Sequence, residues 1–351
     1  MVDAVLVVSY GGPRGPEDVL PFMRNATRGR GIPDERLVEV SGHYQRFGGV
    51  SPINERNAEL MDALGEALRE RGLDVPVVIG NRNWTPYLAD TLRELAASGL
   101  RDVRVVITAA YSSYSGCRQY REDLAGALAE LGEEAEGFTF TKIGPYAETD
   151  GFVGANARAL VAAVRELGGA EDLPAVLFVT HSIPTAMDAA SGPGGEEGTY
   201  HAQHLRVAEA VAREASAELG VEVPWELVFC SRSGAPHIPW LEPDVNDRLE
   251  ELAADGVERV VTAPIGFIND HMEVVFDLDT EARETAEGLG LGYVRAATVG
   301  VDPGFVALLA DAVVAGERGT IAGMPTCGAS CCGSGRPGAG APTVLDNEGV
   351  S

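Results

Sequence analysis

Short apolar runs alternate along the chain with longer stretches in which apolar residues recur at helical spacing. The runs at 4–9, 75–80, 103–109 and 259–263 are rich in β-branched residues, and each stops at a loop of glycine, proline or polar residues. Strands that alternate with helices form βαβ units and a parallel sheet. The pattern therefore predicts an α/β fold in which ligands bind beyond the carboxyl ends of the strands.

The second half of the chain repeats the order of the first. Three pairs of segments correspond: 4–13 with 175–184, 77–82 with 227–232, and 99–103 with 256–260. Three matches in the same order predict two similar Rossmann-like domains whose parallel sheets face a cleft.

We expect these domains to cover residues 1–150 and 151–325, followed by a mostly flexible, cysteine-containing tail at 326–351 that is rich in Gly, Pro and Ala. The repeat also places Tyr10 and His181 at equivalent strand ends. Across a cleft, these two side chains would approach one ligand from opposite sides.

The charge balance excludes several classes of partner. The chain carries 27 Lys and Arg against 53 Asp and Glu, a net charge of −26, which repels nucleic acid and anionic lipid but attracts cations. No apolar run approaches the ~20 residues that span a bilayer, and the start of the chain lacks the basic region of a signal peptide. Five cysteines do not make a secreted disulfide framework. We therefore expect a cytoplasmic protein without stable membrane insertion.

An acidic segment follows the run at 259–263. Asn269 or Asp270 is the expected N-cap of a helix there. Glu273, Asp277 and Glu281 are spaced by four and share one face of that helix. Because like charges at this spacing repel, the row indicates a path for a cation, with a solvated acidic face as the alternative.

His181 is the candidate metal ligand or proton acceptor. It ends a buried strand, where a neutral imidazole can bind a metal or accept a proton, although many such histidines simply bond a backbone carbonyl. Glu273 follows a different strand of the same half, so both side chains can reach one cleft as metal ligands or as an acid–base pair. His271 is expected to point elsewhere on the helix and to be structural.

Aromatic and arginine side chains crowd the loops of the first half. A flat apolar ligand with carboxylates at its rim would suit this mixture, with ordinary core and rim residues as the alternative. The residues are Tyr44, Phe47, Trp84, Tyr87, Tyr111, Tyr114, Tyr120, Arg28, Arg30, Arg46, Arg118 and Arg121.

Several segments resemble the signature segments of ferrochelatases. The resemblance extends from about residue 5 to residue 316 and rests on THSIP (180–184), PIGF (264–267), HMEV (271–274), YGGP (10–13), GGVSP (48–52) and PWLEPD (239–244). It implies a lyase that inserts its substrate Fe²⁺ into a porphyrin and releases two pyrrole protons.

The resemblance also implies roles for individual residues. His181 and Glu273 would bind the iron and accept protons, and Asp277 and Glu281 would extend the acidic face that delivers cations. Tyr10 would lie on the opposite face of the macrocycle. The residues implied to hold the porphyrin are Arg28, Tyr44, Ser51 and Tyr120.

The tyrosine motif and the arginine-rich rim resemble the coproporphyrin III enzymes of actinobacteria. This implies coproporphyrin III and Fe²⁺ as substrates, coproheme as the product in haem biosynthesis, and other enzymes of that pathway as partners. The alternatives are a protoporphyrin IX ferrochelatase, a cobalt or nickel chelatase of the same fold, and a tetrapyrrole-binding chaperone, which would not need Glu273.

Cys327, Cys331 and Cys332 bring three thiols into six residues near the end of the chain. Some ferrochelatases carry a [2Fe–2S] cluster here, so the resemblance implies a cluster on these three thiols, with a reactive, metal-free cysteine cluster as the alternative. Such clusters normally need four thiolates. The family position for the fourth, near 154–156, holds no cysteine, and we interpret Cys117 and Cys230 as ordinary small residues.

Overall fold

A computed structural model describes residues 2–29, 31–169, 171–192, 198–316, 331–335 and 341–344. Its first half holds one parallel sheet in the order β2-β1-β3-β4, made of β1 (Ala4–Ser9), β2 (Val77–Asn81), β3 (Asp102–Ile107) and β4 (Thr139–Ile143). The helices of this half are α1 (Pro16–Ala26), α2 (Asp34–Gln45), α3 (Ile53–Glu70), α4 (Leu88–Ala97) and α5 (Gln119–Leu131), with a π-helical turn (Tyr114–Arg118) before α5 and a 3₁₀ turn (Gly132–Ala135) after it.

The second half holds a parallel sheet in the order β6-β5-β7-β8, made of β5 (Ala175–His181), β6 (Trp225–Cys230), β7 (Arg259–Ala263) and β8 (Gly292–Arg295). Its helices are α6 (Asp150–Glu166), α7 (Thr185–Ala189), α8 (Thr199–Leu219), α9 (Val245–Ala254), α10 (Met272–Phe276), α11 (Ala282–Gly288) and α12 (Pro303–Ala315), and a π-helical turn (Asp277–Glu281) joins α10 to α11. The identical strand order confirms the predicted α/β fold with two similar halves.

The central strands β1 and β5 are continuous apolar runs in the sequence because both of their faces are covered. Each pairs with a parallel neighbour on both sides, and all six residues of β1 are buried. A parallel strand covered on both faces needs apolar side chains at successive positions, not at alternate ones. Tyr10 directly follows β1 and His181 is the last residue of β5, so the predicted equivalence of these two positions holds in the structure.

One apolar core joins the two halves. Helix α12 packs against α6 and also reaches back to α3 and β4 of the first half. The hydroxyl of Tyr111 donates a hydrogen bond to the carbonyl of Ile265, 3.0 Å away in the second half. The division at residue 150 stays a prediction.

A chain of buried hydrogen bonds also crosses between the halves beneath the strand ends. Asn269 donates its amide to Asn57 at 3.0 Å, and Asn57 donates to the hydroxyl of Ser9 at 2.8 Å. Thr108 in turn donates to Ser9 at 2.9 Å. These bonds hold the loop before α10 against the end of β1, which fixes the two sides of the cleft relative to each other.

Among the described residues, no helix combines the length and apolarity that crossing a bilayer requires.

Candidate active site

His181 presents one ring nitrogen to the cleft. Its Nδ1 lies 2.5 Å from the carbonyl oxygen of Ser182. Because a carbonyl only accepts, Nδ1 carries the proton and Nε2 keeps its lone pair. The side chain is 31% exposed, so this lone pair is available to a metal or a proton. The backbone carbonyl contact expected of an ordinary strand-end histidine is therefore present, and it orients the ring for chemistry at Nε2.

Glu273 approaches the same nitrogen from the first turn of α10. Its Oε2 lies 3.9 Å from His181 Nε2, which is too far for a hydrogen bond. It is within the span of two metal–ligand bonds of about 2.1 Å each. The predicted pairing of these two side chains is present, with room for an ion between them.

The start of α10 differs from the expectation. His271 is the N-cap and makes no side-chain capping bond, so neither Asn269 nor Asp270 caps the helix. Asn269 is used in the bond to Asn57, and Asp270 forms an ion pair with Arg295 at 3.1 Å. The capping prediction was wrong because both polar side chains are held by residues distant in sequence.

His271 also lies closer to the site than expected. Its Nδ1 is 3.8 Å from Glu273 Oε2, and its ring packs edge-on against Phe267. Burial, with a contribution from His181, lowers the pKa of His271, so the ring is neutral at pH 7. The prediction that His271 points away was wrong, since Glu273 Oε2 lies 3.8 Å from the His271 ring and 3.9 Å from the His181 ring.

Asp277 and Glu281 are the first and last residues of the π-helical turn that follows α10. Burial raises the pKa of Asp277 to about 7, opposed by a short hydrogen bond from the Ser231 hydroxyl and reinforced by Glu273. Burial also raises the pKa of Glu281. The three acids are close enough to influence one another, but they do not lie along one continuous α-helix as predicted, because a π-helical turn carries Asp277 and Glu281. Asp277 can hold or release a proton near neutral pH.

The first half places aromatic rings opposite these acids. Tyr10 is 36% exposed and packs edge-on against Phe22, which also contacts Tyr44. Burial first, and then the Glu273 carboxylate, Tyr10 and Asp277, raise the pKa of Tyr44 well above its usual range. Tyr44 thus lies within electrostatic reach of Glu273 and Asp277, and Tyr10 lies beside Tyr44.

Helix α2 bridges the cleft directly. The ring of His43 stacks on Phe276 of α10, with centroids 4.0 Å apart and planes 8° apart. Arg46, just after α2, forms an ion pair with Glu284 of α11 at 3.1 Å. These contacts place the helix that carries Tyr44 against the acidic segment.

Tyr120 belongs to a buried polar group that the sequence did not reveal. Burial raises its pKa, and Arg82 lies over its ring, 5.5 Å from the centroid. Arg82 pairs with Asp123 at 3.0 Å, and burial raises the pKa of Asp123 to about 6. The spacing of residues along the sequence could not reveal this group, because Arg82 follows β2 while Tyr120 and Asp123 lie on α5.

Ser51 is buried beside the first glycine-rich loop. A side chain on Gly12 would bring its Cβ within 2.6 Å of the Ser51 Cβ, so the close approach requires glycine. Helix α3 starts at Ile53 with Pro52 as its N-cap, and no side chain caps it. Ser51 therefore lies in the loop and not at the helix cap.

The rim arginines divide into two groups. Arg28 is exposed after α1, and its guanidinium donates a hydrogen bond to the side-chain oxygen of Asn25 at 2.5 Å. Arg118 is mostly buried and pairs with Glu122 at 2.8 Å, and Arg121 is fully buried. Arg118 and Arg121 are thus structural residues of α5 and its preceding turn, which corrects their placement at an open rim. Arg30 lies outside the described residues.

Comparison with known proteins decides the family. Residues 2–317 match the family model described as ferrochelatase. The chain belongs to the ferrochelatase family. It is 54% identical over 341 residues to the coproporphyrin III ferrochelatase of Streptomyces coelicolor, covering 93% of this chain and 90% of that protein. It is 40% identical over 346 residues to that of Corynebacterium glutamicum, covering 95% of this chain and 92% of that protein.

A solved structure supports the fold of this ferrochelatase-family chain. SirB from Bacillus subtilis with Fe³⁺ aligns with a TM-score of 0.51 and 13% identity, covering 90% of this chain and 96% of SirB. At that identity the similarity concerns the fold alone.

Two of the cysteines predicted to bind a cluster are described, and both are buried. Cys331 and Cys332 have their Sγ atoms 3.5 Å apart and form one buried cluster with Cys117. Cys327 lies outside the described residues. Cys230 is buried at the end of β6 and is not part of this group.

Within the described residues, no three His, Cys, Asp or Glu side chains are arranged to hold a single metal ion. His181 and Glu273 offer two donors, and their side chains are 31% and 52% exposed. Two donors hold an ion while leaving coordination positions free, which suits an ion that is to be passed on and not a permanently bound one.

Proposed function

We propose that the protein inserts Fe²⁺ into coproporphyrin III and forms coproheme in haem biosynthesis. The observation that carries the proposal is the pair His181 Nε2 and Glu273 Oε2, which lie 3.9 Å apart with Tyr44 within the electrostatic influence of Glu273. The names of the relatives at 40% to 54% identity support coproporphyrin III over protoporphyrin IX, and Fe²⁺ over cobalt or nickel.

The His181 lone pair would bind incoming Fe²⁺, with Glu273 as its second ligand. The two pyrrole N–H groups of the macrocycle must each lose a proton as their nitrogens bond to the iron. Glu273 would accept the first proton. Asp277, with a pKa of about 7, would take up and release protons along the row toward Glu281. The iron–His181 bond breaks as the four ring nitrogens complete the coordination.

The first half would hold the macrocycle. Tyr10 would contact its face opposite His181, and Tyr44, Ser51 and Tyr120 would line the slot. Arg28 would donate hydrogen bonds to a propionate at the rim, since charge-assisted bonds of this kind contribute about 1.5–3 kcal/mol. Coproporphyrin has four propionates against two in protoporphyrin, so it gains more from such contacts.

The free thiols support a location in the reducing cytoplasm. The four described cysteines are all free, which suits that compartment. Enzymes that supply coproporphyrin III or consume coproheme are the partners that this reaction requires.

We also propose a [2Fe–2S] cluster bound by the tail thiols. Cys331 and Cys332 support it, because two thiolates on one tetrahedral metal with bonds of about 2.3 Å lie about 3.8 Å apart, close to the 3.5 Å observed. Cys327 would contribute a third thiolate. Since insertion transfers no electrons, the cluster would stabilise the structure and not take part in the reaction.

The test is anaerobic turnover of Fe²⁺ with coproporphyrin III and with protoporphyrin IX, without detergent. We expect kcat/KM for coproporphyrin III to be larger by ~10-fold or more, as one or two charge-assisted bonds would give. Comparable values for the two porphyrins would overturn the choice of substrate. Faster insertion of Co²⁺ or Ni²⁺ than of Fe²⁺ would overturn the choice of metal.

A further inference from the structure

Helix α8 carries a fully buried histidine in the core between the two halves. His204 has no exposed surface, and its ring stacks on Tyr111 with centroids 3.5 Å apart and planes 13° apart. Tyr111 follows β3 of the first half, whereas α8 belongs to the second half. The stacked pair therefore joins the two halves, and it has no role in the reaction as described so far.

Both ring nitrogens of His204 have partners. Nδ1 lies 2.8 Å from the backbone carbonyl oxygen of Tyr200, one turn earlier in α8, so Nδ1 carries the proton. Nε2 therefore accepts a hydrogen bond from the hydroxyl of Thr180 at 2.8 Å. Burial lowers the pKa of His204 to about 3, so the ring is neutral at pH 7 and keeps one donor and one acceptor.

Thr180 connects this imidazole to His181, the next residue of β5. The hydroxyl oxygens of Thr180 and Tyr200 are 2.9 Å apart, and Tyr200 donates a hydrogen bond to the backbone carbonyl of His181 at 2.9 Å. These contacts hold the backbone at the end of β5. A held backbone fixes the direction in which the His181 side chain leaves it.

The same group of residues also holds the loop between β7 and α10. The hydroxyl of Tyr111 donates to the backbone carbonyl of Ile265 at 3.0 Å. Gly266 packs directly on Thr180, since a Cβ at this glycine would overlap the Thr180 hydroxyl. This loop leads into α10, which carries Glu273.

The residue before His204 ties α8 to the same loop of the first half. Gln203 accepts a hydrogen bond from the backbone N–H of Ser112 at 2.8 Å, and it donates one to Glu148 at 3.2 Å. The stack of His204 on Tyr111 is therefore supported by a hydrogen bond at the neighbouring position of each chain segment.

We infer that His204 is a positioning residue for the proposed iron insertion. Through Thr180 and Tyr111 it sets the separation of the two proposed iron ligands, and in this sense the inference rests on the proposed function. The ligands His181 and Glu273 make no hydrogen bond to each other at 3.9 Å, so the backbones that carry them determine their separation. Because His204 is fully buried, it acts only through other residues.

The precision that metal binding demands gives this arrangement its purpose. Two donors hold one ion only when both lie about 2.0–2.2 Å from it. A buried polar network in which every group is satisfied specifies a single arrangement of the elements that it joins. An apolar residue in place of His204 would fill the space, but it would leave the Thr180 hydroxyl without this acceptor.

The test uses substitutions of similar shape in the full-length protein. His204→Phe keeps a ring on Tyr111 and removes both nitrogens. Thr180→Val removes the hydroxyl that His204 accepts from, and Thr180→Ser keeps a hydroxyl as the conservative variant. Tyr111→Phe removes the bond to Ile265.

Tyr146→Phe is the matched control for Tyr111→Phe. Tyr146 is also buried and also donates its hydroxyl to a backbone carbonyl, that of Ile107 in β3 at 2.8 Å. It thus loses the same kind of bond without touching the loop before α10.

Three constants are measured under anaerobic conditions. They are the KM for Fe²⁺, the KM for coproporphyrin III, and the Kd of Fe²⁺ for the porphyrin-free protein by titration calorimetry. His181→Ala identifies the part of the Fe²⁺ binding that belongs to this site, and thermal unfolding checks folding. A purely structural defect would reduce the amount of active protein and leave all three constants unaltered.

We expect His204→Phe and Thr180→Val to raise the KM and the Kd for Fe²⁺ by ~10-fold, the lower end of the loss for residues that orient metal ligands. The KM for coproporphyrin III should stay near the wild-type value. Thr180→Ser should recover most of the loss, Tyr111→Phe should show a smaller rise, and Tyr146→Phe should match wild type.

The outcomes separate the two proposals. A wild type that binds Fe²⁺ through His181 but inserts none overturns the proposed insertion, and the Kd values then decide the positioning role alone. A wild type that neither binds nor inserts Fe²⁺ overturns both. Unchanged Fe²⁺ constants in folded His204→Phe and Thr180→Val overturn only the positioning role.

Two further results would also overturn the positioning role. Equal rises in Tyr146→Phe would show a general effect of disturbing the core, as would a rise in the KM for coproporphyrin III as large as that for Fe²⁺. Should His204→Phe fail to fold, the comparison of Thr180→Val with Thr180→Ser decides the question, because these variants differ in the hydroxyl that His204 binds.

Discussion

The two halves share a strand order but differ in the side chains that their strand-end loops carry. In the first half, β1 leads to Tyr10 within a group of aromatic rings. In the second half, β5 ends at His181 and the loop after β7 brings Glu273 beside it. The shared strand order gives each half a set of strand-end loops. In the first half these loops carry aromatic side chains suited to binding, and in the second half they carry side chains suited to ions and protons. A doubled fold can thus divide binding and chemistry between its copies.

The sharpest test of this division changes the side chains at the two equivalent strand ends. We expect His181→Ala to abolish iron insertion while porphyrin still binds, because affinity rests on apolar area and rim contacts supplied mainly by the first half. Single-turnover insertion and porphyrin fluorescence quenching measure the two properties separately.

Tyr10→Phe is the matched control for His181→Ala. It keeps the ring that packs on Phe22 and should leave insertion within about threefold of wild type. Turnover near the wild-type rate in His181→Ala would contradict the division, as would an equal loss in both variants.

The next test lies within the second half. We expect Glu273→Gln to slow insertion by ~10²–10⁴-fold, the usual cost of losing a general base. Asp277→Asn should cost much less, because Asp277 lies further along the row and only relays protons. Initial rates at moderate salt, where long-range fields are screened, measure both variants. Equal losses would remove the distinction between the two acids.

A third test concerns the first half. Arg28→Ala should raise KM for coproporphyrin III by ~10-fold, the lower end of the range for a charge-assisted hydrogen bond, because Arg28 is exposed. KM for protoporphyrin IX should rise less. Arg93→Ala serves as control, since Arg93 pairs with Asp90 and Glu130 on the α4–α5 surface. An unchanged KM in Arg28→Ala would show that this arginine does not meet a propionate.

The smallest expected effect is on stability. Burial raises the pKa of Asp277 from 3.8 to about 7 in the folded protein, so the folded state binds this proton more tightly than the unfolded state does. The contribution of Asp277 to the free energy of unfolding is therefore most favourable at low pH, and it is lost as pH rises from about 4 to about 7. Asp277→Asn should remove this pH-dependent loss of stability.

Urea unfolding of wild type and Asp277→Asn at about pH 4.5 and pH 7.5 measures the difference. Glu94→Gln, which alters an exposed carboxylate on α4, is the control and should change both values equally. Parallel pH profiles for wild type and Asp277→Asn would mean that Asp277 is not buried as a protonated acid.

The sequence predicted the frame and the central pair because both depend on local signals. Apolar runs specify parallel strands, and the ends of such strands must meet at one edge, which brings His181 and Glu273 together. The sequence repeat then predicted that Tyr10 of the first half occupies the position equivalent to His181.

The sequence did not predict contacts that only the tertiary structure creates. The sequence predicted Arg118 as an arginine at the rim of the site, but its guanidinium donates a hydrogen bond to the carbonyl of Cys331, 213 positions away. Cys117 belongs to no sequence motif, and only the folded structure shows that it lies in one cluster with Cys331 and Cys332. Asn269 has the chemistry of a helix cap, yet a buried partner on α3 takes its amide. Spacing along the chain carries no information about such partners.

Helix α12 has a consequence for how the chain is made. It is the last helix in sequence among the described residues, yet it packs on α3 of the first half. Leu60, Leu64 and Leu68 of α3 share one core with Leu309 and Val313 of α12. Domains at the start of a chain normally fold while the ribosome is still adding residues. In this protein α12 covers the leucine side chains of α3 only after nearly the whole polypeptide has been synthesised. Premature termination before α12 would therefore expose these leucines and leave a chain prone to aggregation.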